Sequence, residues 1–590
     1  MKKVRIKARK RPTLDDFSAL DEPHPYGVLP GGNRFVSPSF ESPSSQKNNR
    51  RRKRRSEQEI FSDGIWQTVL GFCDARSLGS IVQTSRYLYV AGHQPELWRD
   101  LVLRRCQSSK KMIDKAGSSW KDTYVQLFAS SSSHCRCLPH QPMAVSGVYS
   151  DDYYRTHVCR SFALPEAWFV EEDDDENDET NPTRVPAVTN ITPEAFLQRY
   201  ENSNKPVILR GAASAAPALQ QWQDPKYLSK HNTKGKSFRA TSGAAPLPAD
   251  FTLEAYEEYT RFAYLEESPL YLFDRTAFQS NPQWSNDFFP TFYANNPHWD
   301  PSPSPENNDY NHDLLQHLGE GKRPDHTWLI MGPKRSGSVF HIDPNATHAW
   351  NVCIQGRKRW IFYPPGQNPP GVFPSEDGDE VALPLSVGEW LMQYWKDHSR
   401  QIRRHQHRSL RKTEKGAMEG SSSSLGPMEC TVGPGDVIFV PHGWWHMVIN
   451  LDDRNMAVTH NYVSPSNLGN VLKFFREKQD QISGCRDRTE SIKPERLREE
   501  FLKALESREG SKDYLQKALE QTKWTCRAWK NDESAVSQQQ QVPELLAASP
   551  TTSKKRPHTA ENEDERNSTE KRQSVMAQTE KVAAFTFSFL

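Results

Sequence analysis

Apolar residues recur at helical spacing in three short runs early in the chain. These are Ile65, Trp66, Val69 and Leu70, then Leu78, Ile81 and Val82, then Leu97, Trp98 and Leu101. Ser62 or Asp63 stands where the first helix needs a cap, and Asp74 where the second does, because a short oxygen-bearing side chain accepts a backbone N–H there. The pattern predicts a small helical module over 56–106, so small that it needs a partner surface to be stable. Thr192 and Pro193 open another helix through Tyr200, and the stretch from Lys205 to Gly211 reads as a buried strand ending in a turn. From about 327 to 463, apolar strand-like runs alternate with Gly/Pro turns, the pattern of a β barrel or sandwich. One interruption, 397–425, holds Arg400, Arg403, Arg404, His405, His407, Arg408, Arg411 and Lys412 and reads as a mobile basic insertion between strands. After 465 the spacing turns helical again, with Leu468, Val471, Leu472 and Phe475 on one face. Past Pro494 come Leu497, Phe501, Leu502 and Leu505. These helices either cover the β domain or form a contact between two copies of the chain.

Composition changes this picture mainly at the ends. Only 35% of the 590 residues are hydrophobic, so long stretches are expected to be unpacked. Residues 1–55 and 531–590 carry no apolar period and read as disordered tails. The first holds the basic run from Arg50 to Arg55 and the second Lys554-Lys555-Arg556. Such runs suit nuclear import receptors or nucleic acid phosphates, so the expected location is nuclear, with the cytoplasm as the alternative. The acidic run from Glu171 to Glu179 marks a linker within a connecting region, 107–189. The nine cysteines form no disulfide framework, the N-terminus lacks the apolar core of a secretion signal, and no run of about 18 apolar residues exists to cross a membrane. An intracellular protein with reduced thiols follows. His134, Cys135, Cys137, His140, His157 and Cys159 match no standard zinc spacing and are expected to be structural.

The chemistry concentrates in Phe340-His341-Ile342-Asp343. Residues two apart on a strand share a face, so His341 and Asp343 converge while Ile342 turns away into packing. A third ligand must come from elsewhere. His446 and His442, both in Pro441-His442-Gly443-Trp444-Trp445-His446, are the candidates. His446 is preferred because the strand that follows directs it inward, whereas His442 lies in the turn. Two imidazoles and a carboxylate on one face of an octahedral metal leave positions open for a bidentate cosubstrate and dioxygen, which suits non-haem Fe(II).

The run from Gly332 to Pro344, with Ala349-Trp350-Asn351, Gln355 to Trp360 and Pro441 to His446 in the same order, resembles the Jumonji-C signature. It is most similar to the branch of the bifunctional arginine demethylase and lysyl hydroxylase. The resemblance covers about 190–480. It implies a mainly β catalytic domain, a double-stranded β-helix of the jelly-roll or cupin kind, with C-terminal helices over 481–530. It also implies Fe(II), 2-oxoglutarate and O2 as cofactor and cosubstrates, with His341, Asp343 and His446 as metal ligands. Lys358 and Thr459 would then bind the distal carboxylate of 2-oxoglutarate, beside Asn351, Ser338 and Tyr271. Trp360, Trp444 and Trp445 are assigned to packing. The expected reaction is hydroxylation of lysyl side chains in a protein substrate, with arginine or lysine N-demethylation as the alternative.

A second resemblance covers roughly 45 residues. Ile65, Phe72 to Leu78, Ser85 to Leu88 and Leu97-Trp98 are similar to an F-box, although Phe61-Ser62 replaces its opening Leu-Pro pair. It implies docking to a Skp-type adaptor through Ile65, Val69 and Leu78, and hence a function of another class: substrate adaptor of a cullin-RING ubiquitin ligase, with the barrel as recognition module. The basic tails and insertion imply a third partner, nucleic acid.

Overall fold

The structure is a computed structural model. It describes residues 23–31, 62–129, 142–169, 181–300, 313–414, 425–508 and 511–528, apart from single positions at 244, 246, 377, 379 and 486–488. The basic runs at 50–55 and 554–556, the acidic run, His134, Cys135, Cys137 and His140 all lie outside these residues. Within the expected N-terminal tail, residues 23–31 are packed: Tyr26 and Val28 are buried and Leu29 N donates to Val148 O at 3.0 Å.

Four early helices form, α1 (Asp63–Gly71), α2 (Ala75–Ile81), α3 (Arg86–Gly92) and α4 (Pro95–Ser109); the spacing placed α1, α2 and α4, and α3 is an addition to them. Asp74 caps α2 through Ser77 N, and Ser85 caps α3 through Leu88 N. Ser62 makes no side-chain cap, and Asp63 instead accepts from the Tyr87 hydroxyl at 2.6 Å and the Ser150 hydroxyl at 2.5 Å. Helices α5 (Trp120–Phe128) and α6 (Asp151–Ser161) follow. Leu70, Leu78, Val90, Trp98 and Val102 join one continuous core with Trp120, Phe251, Tyr256, Trp284 and Val352. The module therefore leans on the β domain instead of standing alone. The seam is sealed by Glu266, which accepts from Arg99 at 3.1 Å, Trp120 Nε1 at 2.9 Å and the Tyr259 hydroxyl at 2.7 Å.

Fifteen strands are present among the described residues: β1 (Ala187–Val188), β2 (Val207–Leu209), β3 (Phe238–Thr241), β4 (Ala249–Phe251), β5 (Tyr271–Asp274), β6 (Thr327–Gly332), β7 (Gly337–His341), β8 (His348–Gln355), β9 (Lys358–Tyr363), β10 (Phe373–Pro374), β11 (Val381–Ala382), β12 (Met428–Val432), β13 (Val437–Val440), β14 (Trp445–Asn450) and β15 (Asn455–Tyr462). Nine of them form one sheet in the order β1-β2-β13-β8-β15-β6-β5-β3-β4. A second sheet runs β12-β9-β14-β7, and β10 and β11 pair alone. Ile208, Cys353 and Ile438 of the large sheet share a buried cluster with Trp360, Cys430 and Val448 of the small one, so the sheets pack face to face.

This corrects the expected mainly β, closed double-stranded β-helix. Helix takes 44% of the described residues against 18% for strand, and no sheet closes into a barrel; each order ends on two different edge strands. The strand expected within Lys205–Gly211 is β2, but the reading missed β1, β3, β4 and β5, whose short runs of 2–4 residues carry too little alternation to stand out. Helices outweigh strands because they occupy both flanks and also the interruption. The stretch read as a mobile insertion lies largely in α7 (Val387–Glu414), a 28-residue helix. Trp390, Leu391 and Trp395 of α7 pack on the outer face of the small sheet. The last helices, α8 (Leu468–Glu477), α9 (Pro494–Glu506) and α10 (Lys512–Ala528), bury Val471, Leu472, Phe475, Phe501 and Leu505 with Leu314 and Leu318 of the same chain.

β7 approaches β14 closely only because residue 337 is glycine. Its φ is +154°, and a Cβ there would sit 1.9 Å from Val448 O. Gly337→Ala is therefore expected to destabilise the fold by about 2–4 kcal/mol, measured by urea unfolding. An unchanged midpoint would mean that β7 moves aside without loss.

Candidate metal centre and its cavity

β7 and β14 are antiparallel neighbours, and their register sets His446 directly opposite His341. Their rings lie 4.1 Å apart between centroids. β7 ends at His341, so Asp343 occupies the extended residue after the strand (φ −58°, ψ 139°). The alternation still carries Asp343 to the same side. Ile342 is 38% exposed, not packed as expected. One ligand atom each of His341, Asp343 and His446 lies within 4.8 Å of the others, the one such group of three or more among the described residues. His446 Nε2 is 3.9 Å from an Asp343 oxygen.

Nδ1 of His341 meets Val339 O at 2.9 Å, and Nδ1 of His446 meets Trp444 O at 3.1 Å. A carbonyl accepts, so each Nδ1 carries the proton and each Nε2 keeps its lone pair for a metal. Asn461 hydrogen-bonds the Asp343 carboxylate, and its Nδ2 also donates to Thr347 Oγ1 at 2.9 Å. His442 is not in the cluster: it packs on His348 and bonds Asn470 at 2.8 Å.

Burial lowers His341 and His446 to about 4, which keeps both imidazoles neutral, the ligating form. Burial raises Asp343 from 3.8 to about 6, against the pull of His341. Below about pH 6 a metal must therefore displace a proton from Asp343, so uptake by the metal-free chain should weaken by about tenfold per pH unit there. Titration with Fe(II) under anaerobic conditions measures this; an affinity that stays flat from about pH 7 down to about pH 5 would contradict it.

All eight residues singled out from the sequence line one cavity: Tyr271, Ser338, His341, Asp343, Asn351, Lys358, His446 and Thr459. Lys358, 1% exposed, opens β9. Its Nζ donates to Asn450 Oδ1 at 2.7 Å and the Tyr271 hydroxyl at 2.9 Å, both neutral oxygens. Thr459 Oγ1 donates to Trp350 O at 3.0 Å. Two buried polar atoms on the cavity wall, Asn351 Oδ1 and Trp360 Nε1, have no hydrogen-bond partner among the described residues. A buried cation facing only neutral oxygens, beside orphaned polar atoms, is what a polar anionic ligand would complete.

Four residues escaped the sequence reading. Trp360 was assigned to packing, yet it lines the cavity and stacks on His446 at 5.9 Å. Asn450 pairs with Lys358 across β14 and β9, and its Nδ2 donates to Ser336 Oγ at 2.8 Å. The signal was present, since 446, 448 and 450 share one face of a strand. Phe273 and Trp328, 5.3 Å apart, form an aromatic wall from strands whose inward face the sequence did not reveal.

Residues 193–467 match the family model described as a cupin-like domain. The chain is 33% identical over 502 residues to the arginine-specific demethylase JMJ22 of Arabidopsis thaliana, spanning 84% of each. It is 31% identical over 282 residues to the bifunctional arginine demethylase and lysyl-hydroxylase psr-1 of Caenorhabditis elegans, 47% of this chain and 60% of that protein. It is also 31% identical over 167 residues to the 2-oxoglutarate and iron-dependent oxygenase JMJD4 of Homo sapiens, 28% of this chain and 34% of that one.

Proposed function

The chain belongs to the JmjC-related cupin-like oxygenases and is an Fe(II)- and 2-oxoglutarate-dependent oxygenase, and from that premise we propose that it oxidises basic side chains of proteins. N-methylated arginine is the first candidate substrate and lysine the second. The observation that carries the cosubstrate reading is Lys358. A buried ammonium without a carboxylate partner is costly, and the distal carboxylate of 2-oxoglutarate removes that cost.

His341, Asp343 and His446 would hold the iron, with the Nδ1 bonds of the two histidines and the Asn461 amide on Asp343 fixing the ligand orientations. Bound there, iron supplies the redox chemistry that converts 2-oxoglutarate and O2 to succinate and CO2 and places one oxygen atom in a substrate C–H bond. Lys358 neutralises the far end of the cosubstrate, and Asn450 and Tyr271 hold its ammonium in place. The Thr459 hydroxyl would exchange its bond to Trp350 O for one to the carboxylate. Asn351 and Trp360 offer their unpartnered polar atoms to the same ligand. Phe273, Trp328 and Tyr271 line the pocket with aromatic surface, which would limit water around a bound cosubstrate.

Arginine is placed before lysine because the relative matched over 84% of both chains is named for arginine demethylation alone. On an N-methyl group the hydroxylated carbon leaves as formaldehyde; on a lysyl carbon the oxygen stays. The test is anaerobic 2-oxoglutarate binding by wild type and Lys358→Ala, then exposure to O2 with methylarginine and lysine peptides. Lys358→Ala should weaken 2-oxoglutarate binding about 100-fold, and equal affinity in the two proteins removes the cosubstrate assignment. Formaldehyde from the methylarginine peptide supports demethylation, whereas a lysine peptide that gains one oxygen shifts the assignment to hydroxylation.

A docking role for the helical module has its own support. Ile65 and Val69 on α1 are each 47% exposed and Phe72 is 88% exposed, an apolar strip facing outward. Leu78, expected to share this task, is fully buried and cannot. Co-purification with a Skp-type adaptor should be lost in Ile65→Asp/Val69→Asp; retention in that variant removes the F-box reading.

A further inference from the structure

Helix α7 has two unlike faces. Leu391, Trp395, His398 and Ile402 are buried. Trp395 packs edge-on to Trp168 at 5.6 Å. His398 bridges the Tyr363 hydroxyl and Glu429, each at 2.7 Å, and Glu429 pairs with Arg359. Farther along, Gln406 Nε2 donates to Thr183 Oγ1 at 3.1 Å. The helix is thus pinned from its first turns to Gln406, and its orientation is fixed.

The opposite face exposes Lys396, Arg400, Arg403, Arg404, His407 and Arg408. At 100° per residue these positions fall within one side of the helix. At 1.5 Å per residue they span about 18 Å. Asp397 is the one acid between 396 and 408; it meets Arg400 at 2.7 Å, with both side chains well exposed, so that pair holds Arg400 weakly.

We propose that this face of α7 binds the phosphate backbone of nucleic acid without reading its sequence. Protein partners are anchored by aromatic and aliphatic side chains at the centre of an interface. Among 396–408 every exposed side chain is charged or is His407, so affinity there must come from charge. Arginine's planar fork suits phosphate oxygens in pairs. A backbone with one phosphate per about 3.4 Å of each strand would present about five of them along 18 Å. The surface lies on the outer side of the sheet whose inner side carries Lys358 and His446, so binding leaves the cavity open.

The test uses the full chain, with Arg50 to Arg55 and Lys554, Lys555 and Arg556 changed to Gln throughout so that the two other basic runs do not mask the result. Fluorescence anisotropy with a labelled mixed-sequence DNA duplex, and with single-stranded RNA of the same length, is followed over a salt series. In Arg400→Gln/Arg403→Gln/Arg404→Gln/Arg408→Gln the affinity should fall at least about tenfold and the log–log salt slope should shrink by about 3. Loss with only one of the two probes tells which backbone is preferred and supports the proposal. Unchanged affinity and slope in a quadruple variant that unfolds at the wild-type temperature overturns it. So does arginine-dependent binding of a poly-glutamate peptide where neither nucleic acid binds, which would give the surface to an acidic protein.

Discussion

Asp343→Ala should lower turnover by more than about 1,000-fold and abolish tight iron uptake, while the metal-free protein becomes no less stable. The loss follows from the ligand set. Removing a group that merely orients a ligand costs about 10–100-fold, and Asp343 is itself the one carboxylate of the cluster. The gain in stability follows from burial. Asp343 has its pKa raised from 3.8 to about 6, so in the metal-free fold its contribution is most favourable at low pH and is lost as pH rises through about 6. At neutral pH that cost is on the order of 3 kcal/mol, from a shift of about two units. Alanine removes it. Iron binding and succinate release should therefore vanish while the unfolding temperature of metal-free protein holds or rises. A variant that loses activity together with stability would mean that Asp343 serves the fold.

Glu266→Ala should do the reverse and act on the fold first. Arg99, 1% exposed, would keep Asp100 but lose its buried partner Glu266, and Trp120 Nε1 and the Tyr259 hydroxyl would each lose an acceptor. Breaking a buried ion pair costs about 3–5 kcal/mol, and each orphaned donor adds about 1–3. Native domains hold only about 5–15 kcal/mol in reserve, so the variant should be largely unfolded or insoluble at 37 °C. Glu266→Gln keeps a carbonyl for two of the three donors and should retain a folded population. Urea unfolding of both variants decides it. A loss below about 1 kcal/mol for the alanine variant would mean that the helical module rests only loosely on the β domain.

The metal site was legible because a strand's period of two is strict. His341 and Asp343 announced themselves two positions apart, and the strand after Trp444 selected His446 over His442. The resemblance named Lys358 and Tyr271 together, and they meet at 2.9 Å; Asn450 was not readable, because it meets Lys358 only through the pairing of β9 with β14. The aromatic wall stayed hidden because β6 is buried on both faces, where a continuous apolar run does not tell inside from outside, and β5, with four residues, is too short to show alternation. The balance of helix and strand was misjudged for a related reason. Arginines in α7 read as a loop by charge, although Trp395, His398 and Ile402 mark a helical seam on the other side. In the N-terminal module the spacing placed three of the four helices and passed over α3, whose seven residues are too few to show a period. Which apolar positions face outward depended on Glu266 and Trp120, far away in sequence.

β14 holds two pairings at once, His446 against His341 and Asn450 against Lys358. One buried segment of six residues therefore serves as the common ruler for both halves of the cavity. An insertion or deletion of a single residue between them would set His446 and Asn450 on opposite faces, so that one of the two must turn to the outer side. The chain thus has no neutral change of length in this segment: either the metal ligand or the partner of Lys358 is forfeited. Inherited variation in length should be absent from 445–450 and confined to the turns on either side.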